Sequence, residues 1–309
     1  MTDASLALSR LIYAEPGVPP VRADCEHTLA LSDGRRLAAA EFGPRERVPI
    51  IYLHGFLGSR LEPGVGGPLT VNTIGVDRPG YGRSDLQPEP SLAAFGRDVR
   101  AGLDALGIER CVVVGASSGA PYALAAAVAL GRRAVRLVLL AGVGGPDVLR
   151  RAGGGAEVIV RLAGRELGRG GLLRRWFRFA RRSGLDRTLL GLGIASEAGP
   201  LARHGLSPAA VHERMLQSLR CGSEPSLPGP EADAWLLTRP WDLDPTPLTA
   251  DTLVRHGGDD LVVPVDHARW YADRLPGARL ELVPGEHHLS LCFASVPLVE
   301  RLAREAAET

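Results

Sequence analysis

The stretch Val112-Val113-Val114-Gly115-Ala116-Ser117-Ser118-Gly119-Ala120-Pro121 constrains this chain more than any other. Three β-branched residues in a row read as a strand buried on both faces. A Gly-x-Ser-x-Gly turn follows at once, and Tyr122-Ala123-Leu124-Ala125-Ala126-Ala127 then supplies mostly good helix formers. A strand that becomes a helix within five residues holds its central serine in a sharp bend. Gly115 and Gly119 let backbone pass close on both sides. The free N–H groups of the following helix lie beside Ser117 Oγ and can stabilise negative charge there. Ser117 is thus a candidate nucleophile; the structural alternative is a Ser/Gly-rich turn between core elements.

The rest of the chain repeats the strand-then-helix rhythm. Residues 1–23 read as an arm made irregular by Pro16, Pro19 and Pro20. Ser32-Asp33-Gly34 is a hairpin turn between strands His27–Leu31 and Leu37–Phe42. Val48–Leu53 and Val71–Val76 are buried strands. Ser91 caps a helix that stops at Gly107, and Val135–Leu140 is the strand after the serine's helix. From Pro146 to about Pro247 strand patterns vanish and the text is helical and rich in Arg and Gly. Strands resume at Leu253–His256 and Arg279–Val283, with helices over about Val265–Leu275 and Ala294–Glu305. This alternation predicts a mostly parallel, doubly wound α/β sheet. Its expected core is 1–145 with 248–309, and 146–247 is a helical insertion placed to cover the sheet's C-terminal edge.

Composition excludes several classes. A chain of 309 residues, 45% hydrophobic and 23% charged, has ordinary globular composition and length for such a core plus insertion. Its 36 basic residues, all Arg, nearly balance 35 acidic ones, a net charge of +1 that argues against a general nucleic-acid binder. Cys25, Cys111, Cys221 and Cys292 are scattered without metal-ligand spacing and read as free thiols, so no metal is expected. No apolar run approaches the ~20 residues of a membrane span, and the N-terminus lacks the pattern of a signal peptide. The expectation is a cytoplasmic protein with a small-molecule partner and no stable membrane insertion.

Four separated motifs in this order resemble the α/β-hydrolase-fold serine hydrolases: His54-Gly55 with Gly58, Asp77-Arg78-Pro79-Gly80-Tyr81-Gly82-Arg83-Ser84, Gly115-Ala116-Ser117-Ser118-Gly119, and the acid and histidine segments near the C-terminus. The resemblance covers 24–145 and 248–309 and implies a triad in the chain order Ser, acid, His. In His256-Gly257-Gly258-Asp259-Asp260-Leu261-Val262-Val263-Pro264 it places the acid at Asp260, with Asp259 and Asp147 as alternatives. In Pro284-Gly285-Glu286-His287-His288 it selects His288, with His287 as the rival. It puts an oxyanion hole at the backbone N–H groups of Phe56 and Ser118. Two departures stand out: Ser118, where the family often has Gly, and His287, where a small residue usually precedes the histidine. His54 reads as a structural brace. The Asp77–Ser84 loop reads as structural too, with Asp77 satisfied by Arg78 or Arg83.

The implied activity is hydrolysis of a carboxylic ester, lactone or thioester through an acyl-enzyme, without cofactor. Acyl transfer, cyclisation or C–C cleavage on the same scaffold, and non-catalytic ligand binding, are the alternatives. The insertion should select the substrate. Its segment Leu172–Arg182 alternates apolar residues with arginines at helical spacing, a basic amphipathic helix. Trp176, Phe177, Trp235, Trp241 and Leu57 are the expected substrate-facing residues, suited to an apolar group.

Overall fold

A computed structural model describes residues 17–155, 157, 172–223 and 228–308. Its centre is an eight-stranded sheet: β1 (Cys25–Ala30), β2 (Arg36–Phe42), β3 (Ile50–Leu53), β4 (Thr73–Val76), β5 (Cys111–Ala116), β6 (Ala134–Leu140), β7 (Asp251–Gly257) and β8 (Arg279–Val283). Their spatial order is β1-β2-β4-β3-β5-β6-β7-β8. β1 and β2 pair antiparallel with each other, and β2 with β4. Every other neighbouring pair is parallel. The expected fold is therefore the one found.

The period of two along β5 explains why the sheet needs helices on both sides. Cys111 and Val113 point into one apolar cluster, with Leu92, Phe95 and Val99 of α1 (Leu92–Ala105), α2 (Ala120–Leu130) and Tyr271 of α9 (Asp266–Ala272). Val112 and Val114 point into the other, with Val299, Leu302 and Ala303 of α11 (Val296–Glu308). α1 and α2 approach so closely that a Cβ at Gly96 would lie 2.4 Å from the Ala125 carbonyl oxygen. Ser91 caps α1 by accepting the Ala94 N–H at 2.9 Å.

Between β6 and β7 the described residues contain helices and no strand: α3 (Pro146–Ala152), α4 (Leu172–Ser183), α5 (Leu185–Ser196), α6 (Ala198–Arg203), α7 (Pro208–Gly222) and α8 (Pro228–Leu237). Proline opens α3, α7 and α8, at positions where a missing N–H costs nothing. This segment is tied to the loops at the C-terminal ends of the strands. Ser218 on α7 accepts the Ser59 N–H at 3.1 Å, the Gly82 N–H donates to Gly222 O, and the Gly229 N–H donates to Gly80 O. The arm at Val21 exchanges two hydrogen bonds with the Gln217 side chain. Near the C-terminus the helix expected over Ala294–Glu305 is α11, and an additional helix, α10 (His288–Ala294), precedes it. The Ser290 side chain accepts the His287 N–H at the start of α10.

Candidate active site

Ser117 sits where β5 turns into α2, at φ +53°, a region that L-residues avoid. Tertiary packing over-determines the bend. A Cβ on Gly115 would meet Ala123 Cβ at 2.6 Å, and one on Gly119 would meet the Leu53 carbonyl oxygen at 2.2 Å. The Ser117 carbonyl accepts the Val143 N–H at 3.0 Å, from the loop after β6. Ser117 is half-exposed, whereas Ser118 and Gly119 are buried.

Three distant segments meet at this serine. His288 Nε2 lies 3.0 Å from Ser117 Oγ, and His288 Nδ1 lies 2.7 Å from Asp260 Oδ2. The other Asp260 oxygen accepts the N–H groups of Val262 and Val263 at 2.9 and 2.8 Å, which orients the carboxylate. Burial alone would raise the Asp260 carboxyl. The facing His288 and the Val263 N–H more than offset this and hold it below the usual carboxylate value. Burial likewise disfavours imidazolium at His288, but Asp260, then Glu197 and Glu62, outweigh it and raise His288 above the ordinary histidine value.

The rival residues stand elsewhere. Asp259 is exposed, with its backbone N–H on Glu286 O. Asp147 accepts the Trp270 indole N–H at 2.9 Å. His287 is the N-cap of α10.

The loop after β3 packs against the serine: a Cβ on Gly55 would stand 3.3 Å from Ser117 Cβ. Buried Glu62 fixes this loop, accepting the Gly55 N–H at 3.0 and 3.2 Å and the Tyr52 hydroxyl at 3.0 Å. His54 contacts Gly55 O through Nδ1 at 2.8 Å and accepts the Arg78 N–H at Nε2. One neutral tautomer, protonated on Nδ1, satisfies both contacts. Burial, aided by the Arg78 charge, keeps His54 well below its ordinary pKa and so neutral.

Arg78 does not pair with Asp77, contrary to one of the two partners expected from the sequence. Asp77 is taken by Arg60, through the backbone N–H at 2.7 Å and Nη1 at 2.9 Å, and by the Arg83 backbone N–H at 3.0 Å. The Arg78 guanidinium is free to turn to the elbow. It donates to Gly55 O at 2.9 Å and to Ser118 Oγ at 3.2 Å, and pairs with Asp233 of α8 at 2.6 Å. Tyr81 and Tyr122 flank it, each with its ring centroid 4.7 Å away, and both hydroxyls donate to Asp233. The Ser118 hydroxyl therefore belongs to this buried network.

The expected substrate-facing residues fare differently. The side chains of Trp176 and Phe177 lie outside the described residues. Trp235 and Trp241 line a groove with Leu86, Pro88 and Arg239, and that lining includes none of Ser117, Asp260 and His288. Trp241 packs on Trp270, with centroids 5.3 Å apart. Leu57 is half-buried in the loop beside the serine, at φ +64°. The sequence reading passed over Glu62, Glu197 and Asp233. Each is a single acid with no motif around it, and only its burial in the fold marks it.

Residues 50–301 match the sequence model of the alpha/beta hydrolase family. Over 218 residues the chain is 28% identical to RutD of Caulobacter sp. (strain K31), provisionally named a carbamate hydrolase, covering 69% of this chain and 72% of that one. Among solved structures, an alpha/beta hydrolase fold protein from Nakamurella multipartita superposes with a TM-score of 0.63 at 23% identity, covering 92% of this chain and 98% of that one. The esterase RhEst1 from Rhodococcus sp. ECU1013 does so with a TM-score of 0.63 at 22% identity and the same coverage. No helix among the described residues is long and apolar enough to cross a membrane.

Proposed function

The chain belongs to the alpha/beta hydrolase family, and on that premise we propose that it is a serine hydrolase acting on a carboxylic ester, lactone or thioester of a small, largely apolar substrate. The observation that carries this reading is the hydrogen-bonded series from Asp260 through His288 to Ser117, at 2.7 and 3.0 Å. His288 Nε2 takes the Ser117 proton as Oγ attacks the carbonyl carbon, and Asp260 holds the Nδ1–H tautomer and stabilises the imidazolium. The Phe56 and Ser118 N–H groups receive the oxyanion, each worth about 3–4 kcal/mol in the transition state. His288 then returns the proton to the leaving group, the acyl-enzyme forms on Ser117, and water activated by the same histidine releases the acid. The helices between β6 and β7 act as a cap that shapes the pocket over the strand ends.

The test is twofold. Ser117 should be labelled by a fluorophosphonate probe, with the adduct mapped by peptide mass. A panel of p-nitrophenyl acyl esters, lactones, thioesters and aryl carbamates should show turnover that Ser117→Ala abolishes. The carbamates belong in the panel because the Caulobacter relative bears that name and the attacked carbonyl is of the same kind. Absence of both labelling and turnover overturns the reading.

A further inference from the structure

A second cluster of reactive side chains lies at the far edge of the sheet, four strands from the one that carries Ser117 and thus roughly 19 Å across it. Exposure alternates along β1, so Cys25, His27 and Leu29 turn to its more covered side. Cys25 is directly opposite Glu41 in the β1–β2 register, and residues two apart on a strand share a face. The pairing therefore gathers a thiol, an imidazole and a carboxylate. One ligand atom from each lies within 4.8 Å of the other two.

We propose that Cys25, His27 and Glu41 form a zinc site. Zn²⁺ favours thiolate, imidazole and carboxylate donors together, and tetrahedral bonds of about 2.0–2.3 Å place ligand atoms roughly 3.5 Å apart. Closing from the present separation takes side-chain rotation of about an ångström, which a half-exposed Cys25 allows.

The site already attracts positive charge. Glu41 is 6% exposed, and it holds the guanidinium of Arg45, itself 77% exposed, at 3.1 and 3.2 Å. A metal ion displaces this guanidinium into solvent. His27 Nε2 lies 3.0 Å from Glu41 Oε2, so a proton shared there occupies a position a cation can take.

Asn72, beside Glu41, offers a candidate fourth donor. Asn72 donates to Glu41 Oε1 at 2.7 Å, and its own buried Oδ1 has no hydrogen-bond partner among the described residues. A cavity of about 350 Å³ opens on His27, Glu41 and Asn72 and gives an entry path. Its arginines, Arg45, Arg47 and Arg110, are matched in number by glutamates, so its wall carries no large net charge.

On binding, Cys25 releases its thiol proton to solvent and His27 carries its proton on Nδ1, leaving Nε2 to the metal. The thiolate and carboxylate then neutralise Zn²⁺. Spacing along the chain does not reveal the set, because Glu41 comes from the neighbouring strand.

The experiment uses the full chain, stripped of metal and titrated with Zn²⁺ against a chromophoric chelator. Co²⁺ serves as a spectroscopic probe of thiolate ligation. One equivalent should bind, Co²⁺ should give a sulfur-to-metal charge-transfer band, and Mg²⁺ should not compete. Cys25→Ser and His27→Ala should each weaken binding at least tenfold, with ester turnover at Ser117 unchanged. No uptake at micromolar Zn²⁺, or uptake equal in both variants and wild type, overturns the site.

Discussion

Arg78 and Asp233 form an ion pair at 2.6 Å in which both side chains are shut off from water, 0% and 1% exposed. The pair joins the turn after β4 to helix α8, and it lies against Ser118, the residue that follows the serine in the chain. Removing one partner leaves a buried charge unmatched, which costs about 3–5 kcal/mol. Asp233→Ala should therefore lower stability by that amount in urea denaturation. Arg78→Met combined with Asp233→Ala should be less destabilised than the sum of the two single changes. Additivity would show that the two residues do not act as a pair.

The positive φ of Ser117 predicts a conflict between stability and reactivity. The left-handed region costs an L-residue about 1–2 kcal/mol, a cost that glycine escapes. Ser117→Gly should be more stable than Ser117→Ala by about 1 kcal/mol in thermal unfolding. Both should lose the proposed ester turnover by at least about 10⁴-fold. Equal melting temperatures would argue that the bend is unstrained.

With His288 as the proposed general base, the elevation of its pKa predicts the acid side of the pH profile. A general base must be neutral, so kcat/KM should fall as pH drops through a value above about 6.5, the ordinary histidine value. Glu197 is buried, contributes to that elevation and accepts the Ser290 N–H at 2.7 Å. Glu197→Gln keeps an acceptor but removes the charge, so the acid limb should move to lower pH. A limb below 6.5 in the wild type, or one that stays in place in the variant, contradicts this account.

Glu62 offers a test of the loop that carries Phe56. Both of its oxygens contact the Gly55 N–H. Glutamine can oppose only one oxygen to it and turns a donor toward the other contact. Glu62→Gln should lower kcat roughly tenfold or more while KM stays within a few-fold, with an unchanged circular dichroism spectrum. A rise in KM at constant kcat would place Glu62 in ground-state binding instead.

What could be read from the chain was local in character. Val112–Val114 announce a doubly buried strand, and the Ser117 bend shows in the two glycines that must stand beside it. The segments with Asp260 and His288 lie at strand ends, where short patterns survive. The fold brings all three side chains within hydrogen-bonding distance although His288 is 171 residues from Ser117.

The unread part is long-range. The sequence offers Asp77 either Arg78 or Arg83; Arg83 reaches it through its backbone N–H, whereas Arg78 finds its acid in Asp233. Asp77 in turn goes to Arg60, 17 residues earlier. Composition cannot decide among acids when the pairing depends on which helix docks where. Aromatic residues were ambiguous for a related reason. Trp241 packs on the rings of Trp270 and Tyr271, a role that its local sequence does not separate from contact with a ligand.

The placement of Asp233 limits how freely the parts of this protein can be exchanged. Arg78, Tyr81 and Tyr122 all precede β6 in the chain, and their shared acceptor arrives only with α8, after every other helix of the intervening segment. A graft that replaces residues 146–247 with foreign helices would bury the Arg78 charge without its counter-ion and two phenol hydroxyls without their acceptor. Any interchangeable segment must bring an acid to that one position, whatever shape it gives the pocket.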